Sequence, residues 1–139
     1  MRKYMVILML FLSDSIYSQA VKSALINNKE TAELLGAIES YERYQGRQLS
    51  IGIFKISNGS GTANLPESHE ISHNLLLSIA EFDENPDNKI FIVGPFIGPK
   101  VKKKLDSGQL LTLFVEHGVF DNRKTIKVVA GLTSIKIQN

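Results

Sequence analysis

From Leu49 to the C-terminus the chain is a succession of short apolar runs, each closed by Gly, Pro, Asn, Asp or Ser. Fibres and coiled coils need one long unbroken period, so this pattern excludes both. It reads instead as strands. Leu49, Ile51 and Ile53 alternate with Gln48, Ser50 and Gly52, the period of a half-buried strand. Leu75 to Phe82 leads through the acidic connection Asp83-Glu84-Asn85-Pro86-Asp87-Asn88 into Ile90 to Val93, which reads as a hairpin. Gly94, Pro95, Gly98 and Pro99 then interrupt regular structure. Leu110 to Val115 follows the turn Asp106-Ser107-Gly108, Thr125 to Ala130 follows Gly118 through Asn122, and Gly131 precedes the last run, Leu132 to Ile137. Ile90 to Val93 and Leu110 to Val115 are apolar on both faces, so both are expected to be central strands covered on two sides.

The segment before Leu49 has a different period. Val21, Ala24 and Leu25, then Leu34, Leu35, Ile38 and Tyr41, recur at helical spacing, and Asn27 with Glu30 resembles a capping arrangement. A helix over about 20–45 is expected, stopped at Gly46 and packed on the sheet. The fold class is therefore α+β: an N-terminal helix followed by a β-rich part, 47–139, built as an antiparallel sheet or a two-layer β-sandwich.

Ahead of that helix lies the layout of a secretory signal. Arg2 and Lys3 precede the apolar run Tyr4 to Leu12, a polar stretch follows, and processing after Ser18 would leave Gln19 first. Nine apolar residues span only about 14 Å as a helix, too little for a bilayer. The expectation is a signal peptide at 1–18, one globular domain at 19–139, a secreted or periplasmic location and no membrane span after processing. The chain of 139 residues has no cysteine, which excludes disulfides, a thiol nucleophile and Cys-rich zinc sites. Stability must come from packing, and a domain of this size buries roughly two thirds of its unfolded surface. Lys and Arg number 16 against 14 Asp and Glu, and losing Arg2, Lys3 and Asp14 keeps the balance near neutral. A dedicated nucleic-acid binder, whose affinity comes from neutralising phosphates, is excluded on that ground.

One motif carries sharp chemistry. His69-Glu70-Ile71-Ser72-His73 matches H-E-x-x-H and resembles the zincin metallopeptidases. The resemblance covers these five residues and implies His69 and His73 as zinc ligands, with Glu70 activating the metal-bound water. Those roles need a helix. Residues four apart on a helix lie about 6 Å apart on one face, whereas on a strand they lie roughly 13 Å apart with Glu70 on the opposite face. A third ligand would come from Glu116, His117 or Asp121. The expectation is an extended peptide here and a protein that works without a cofactor, with a zinc hydrolase as the rival.

Other candidates are weaker in pattern. Asp83-x-Asn85-x-Asp87 opens like a calcium loop, but position six is Asn88 and position twelve is Gly94, which has no side-chain oxygen. Ser57 to Thr62 is glycine-rich yet lacks the lysine of a phosphate-binding loop. Lys100, Lys102, Lys103 and Lys104 form the dense basic cluster, suited to an anionic surface or to guarding a sheet edge. Phe96 and Phe120 sit among Gly, Pro or polar residues and are expected to be exposed and to contact a partner, Phe96 on one binding surface with the four lysines. Taken together, these features describe a small exported binding module that acts through loops Ser57 to Ser68 and Gly94 to Lys104. Its partner would be a protein, or an anionic glycan or other cell-envelope surface. A structural component whose terminal strand, Thr133 to Ile137, completes another chain's sheet is a further expectation.

Overall fold

The computed structural model describes residues 28–59, 71–82 and 86–139. The leader and its processing point lie outside these residues, as do His69, Glu70 and Asp83-Glu84-Asn85.

The described chain begins with α1 (Lys29–Gly36), capped by Asn28, whose Oδ1 accepts the Thr31 backbone N–H at 3.0 Å. None of its residues is buried, and Leu35 is 62% exposed. Of the expected helix over 20–45, residues 20–27 lie outside the described residues, and the rest is corrected in three respects. The cap is Asn28, the helix does not pack on a sheet, and Ile38–Gln45 is strand β1. The reason is a long-range contact that helical spacing hides. Tyr41 lies opposite Phe54 of the next strand, β2 (Leu49–Ser57), with ring centroids 4.6 Å apart. A cross-strand aromatic pair of this kind outweighs the weak helix propensity of Ile38 to Tyr44.

The fold is mostly antiparallel β. β1 and β2 are followed by β3 (Ser72–Glu81) and β4 (Lys89–Ile97) in one four-stranded sheet of order β1-β2-β3-β4. β5 (Lys100–Asp106), β6 (Leu111–His117), β7 (Lys124–Ala130) and β8 (Ile135–Gln138) make the second, of order β5-β6-β7-β8. Each sheet is a meander of neighbouring antiparallel strands. Period-two alternation fills a single core cluster. Ile51, Leu77 and Ile79 enter it from the first sheet, and Leu111, Leu113, Val115 and Val128 from the second.

Two strands depart from expectation. β4 is an edge strand, and its Ile90 and Ile92 are 63% and 68% exposed rather than covered on both sides. An apolar run shows how many side chains are apolar, not how many neighbours cover them, which is why the sequence overstated its burial. β6 is central as expected, but its outer face is clothed by charge. The ammonium groups of Lys103 and Lys127 lie 5.8 and 6.0 Å from the Phe114 ring centroid. The segment 94–104 is not a loop. β4 continues through the cis Gly94-Pro95 peptide to Ile97, Gly98 and Pro99 make the crossing, and the four lysines belong to edge strand β5.

Side chains tie the turns together. Asp106 accepts backbone N–H bonds from Arg47 and Gly108, each at 2.7 Å, and so joins the β1–β2 turn to the β5–β6 turn. Arg123 donates to Gly98 O at 2.7 Å, to Gly118 O at 2.9 Å and to Glu116 Oε1 at 2.8 Å. Gly118 has φ +118°, and a Cβ there would meet Asn122 O at 2.5 Å. These contacts fix the Gly98-Pro99 crossing, which borders the cleft considered next.

Candidate functional site

The site starts from an irregularity in β1. Between Ile38 and Ser40 the register with β2 shifts, leaving Glu39 as the extra residue of a bulge. A bulge re-aims the side chain it carries. Glu39 Oε1 lies 3.0 Å from His73 Nε2 and Oε2 lies 2.8 Å from Lys55 Nζ, so one carboxylate joins three strands. The Lys55 ammonium, and after it the His73 bond, hold the Glu39 carboxyl below the ordinary glutamate range, against the opposing effect of partial burial. An ionised carboxylate only accepts, so His73 Nε2 carries the proton. His73 is buried, and its other nitrogen, Nδ1, has no hydrogen-bond partner among the described residues.

Next to this cluster is a cleft of about 340 Å³. Ile53, Leu75 and Val101 give it apolar walls; Ser40, Glu42, Lys55 and Lys100 supply polar groups, and Gly98 and Pro99 close one end. Side chains from β1, β2, β3 and β5 therefore converge on one concavity. Lys104 reaches across to the Glu42 carboxylate, while Lys100 makes no ion pair among the described residues. The combination of apolar walls with a few fixed charges is that of small-ligand pockets in general.

The four lysines of the basic cluster have different surroundings. Lys102 Nζ is 3.5 Å from Glu116 Oε1, Lys103 covers Phe114, Lys104 holds Glu42 and Lys100 lines the cleft. Strand alternation, with a bulge between Val101 and Lys103, spreads them over different surroundings. Phe96 is corrected: it is 7% exposed, belongs to the core and lies with its ring centroid 5.0 Å from that of His117. Phe120 is 90% exposed.

For the H-E-x-x-H motif, His73 stands on β3, and His69 and Glu70 lie outside the described residues. Of the three distant candidates for a third ligand, Glu116 is paired with Arg123 and His117 lies against Phe96. Among the described residues no group of three or more His, Asp or Glu is placed to hold a metal ion. Of the calcium-like stretch, Asp87 is described, and its carboxylate is 3.8 Å from Lys89 Nζ. Also among the described residues, no helix is long and apolar enough to cross a membrane.

Sequence reasoning singled out Lys100, Lys104 and His73 but missed Glu39, Ser40, Glu42, Lys55 and the apolar walls. No local signal marks them, because they meet only through strand pairing. Compared with protein-family models, curated proteins and solved structures, the chain matches none.

Proposed function

We propose that this chain is an exported, non-catalytic binding module that takes a small anionic ligand with an apolar portion into the cleft beside Glu39. In this reading the two sheets are the layers of a sandwich, and the ligand enters where β5 meets β1 and β2. The observation that carries it is the convergence of Ile53, Leu75 and Val101 with Lys55 and Lys100 around one concavity of about 340 Å³. That volume is at the small end of ligand pockets. The charges beside it are Lys55, Lys100 and Lys104 against Glu39 and Glu42, which leaves an excess of positive charge for an anionic group. Export is supported by the basic, apolar and polar order of the first eighteen residues.

The test is a titration with octanoate, with glucuronate as an acid lacking the apolar part and octanol as an apolar part lacking the acid. Octanoate should bind saturably and better than either, and Lys100→Glu should weaken it. Equal response to all three, or none to octanoate, would count against this reading.

One observation favours a second reading. The bare, buried Nδ1 of His73 is a nitrogen with a lone pair to give. A zinc hydrolase with His69 and His73 as ligands and Glu70 as general base would need that lone pair, but in a geometry other than the helical one of the zincins, because His73 stands on β3. Metal analysis of purified protein decides it: one tightly held zinc per chain, lost on His73→Ala, would replace the binding module with the hydrolase.

A further inference from the structure

Among the described residues, the two four-stranded sheets have four edge strands, and three of them carry devices that discourage strand addition. β1 is broken by its bulge and bears Glu39, Glu42 and Arg43. β5 has a bulge and four lysines. β8 is four residues long and includes Lys136. β4 differs. From Lys89 to Val93 it pairs with β3 without interruption, Ile79 opposite Lys89 through Leu75 opposite Val93. Lys89 is the one charged residue between Asn88 and Ile97. Ile90 and Ile92 stand exposed on its outer face. Register also places Tyr41, Phe54, Leu76 and Ile92 in one row across the sheet, so among the described residues an apolar stripe runs out to this edge and stops there.

The geometry points to self-association: β4 pairs antiparallel with β4 of a second copy, making one continuous eight-stranded sheet. The usable edge lies between Pro86 and Pro95, neither of which has an N–H to give. The regular stretch inside those limits is centred on Phe91. A two-fold axis at Phe91 puts Ile90 opposite Ile92 of the partner subunit and Lys89 opposite Val93 of the partner subunit. No like charges meet, and the apolar stripe continues from one copy into the next. Pairing β4 with any other edge of a second copy would meet a bulge, a lysine row or a strand of four residues instead. The second copy is thus the occupant that the charge pattern fits. A single strand pair buries less than the roughly 1,200 Å² of a standard stable interface, so the dimer is a dissociating one. This surface is separate from the cleft beside Glu39, and the inference does not rest on the ligand reading.

Sedimentation of the purified protein over a wide concentration range tests it. Wild type should show a reversible monomer–dimer equilibrium, and Ile92→Lys should be monomeric throughout, with an unfolding midpoint equal to that of wild type at concentrations where wild type is monomeric, because Ile92 is exposed in the monomer. Ile137→Lys, on β8, should leave the dimer intact. The chain has no cysteine, so Ile90→Cys and Ile92→Cys provide a second readout that does not depend on the lysine variant folding. Oxidising an equal mixture of the two should give a crosslinked dimer that neither gives alone, since only the mixed pair lies directly opposite. A wild type that stays monomeric, a dimer that Ile92→Lys leaves untouched, or a mixture that crosslinks no better than the single variants would overturn the inference.

Discussion

Glu39 Oε1 lies 3.0 Å from His73 Nε2, although the two residues are 34 positions apart. The bond exists because a bulge in β1 turns Glu39 toward β3, and the other carboxylate oxygen is taken by Lys55. Removing the carboxylate leaves a buried imidazole N–H and an ammonium without their acceptor. Glu39→Ala should therefore cost about 1–3 kcal/mol at neutral pH, by denaturant unfolding. Exposure of the Glu39 side chain, 38% accessible, keeps that figure from being larger.

The same group sets a pH dependence with a definite sign. The folded-state pKa of Glu39 is depressed, so its contribution is complete above the ordinary glutamate value and is lost as pH falls through the lower folded value. The stability gap between wild type and Glu39→Gln should shrink as the pH is lowered from about 5 toward 3. A gap that stays constant over that window would show that the carboxylate's charge contributes nothing there.

Asp106 should behave similarly from a different cause. The Gly108 N–H, then the Arg47 N–H, hold its carboxyl below the ordinary aspartate range. Asp106→Ala should lower the unfolding midpoint at neutral pH and lower it less in acid. Loss of the tie between the β1–β2 and β5–β6 turns should also appear as faster amide exchange at Arg47 and Gly108.

The two phenylalanines that look alike in sequence should separate on substitution. Phe96→Ala should destabilise by about 3–5 kcal/mol, as for a core aromatic, and Phe120→Ala by no more than about 0.5 kcal/mol. Equal effects in thermal unfolding would contradict their placement.

Much of the sheet structure was legible where one face is buried and the other is not. Leu49, Ile51 and Ile53 announce β2 by strict alternation, and the turns at Asp106-Ser107-Gly108 and Gly118 to Asn122 bracket β6 as read. β1 was hidden because Leu34, Leu35, Ile38 and Tyr41 fit a helical period, while the partner that makes Tyr41 a strand residue is Phe54. β5 was hidden because its four lysines suppress the alternation that marks a strand. β4 was found, but IFIV cannot say whether one or two neighbours flank it. The cleft was almost wholly illegible: Ser40, Ile53, Leu75 and Val101 are bland in their own segments, and only register brings them together. Lys100 alone was flagged, by its place in a basic run.

The most direct check on the cleft is residue-resolved NMR of the folded protein titrated with octanoate. The account predicts saturable shifts of Ser40, Ile53, Leu75 and Val101 at one common affinity, abolished by Ser40→Trp, which fills the cavity. Shifts confined to other surfaces, or shifts that survive Ser40→Trp in a folded variant, would contradict it.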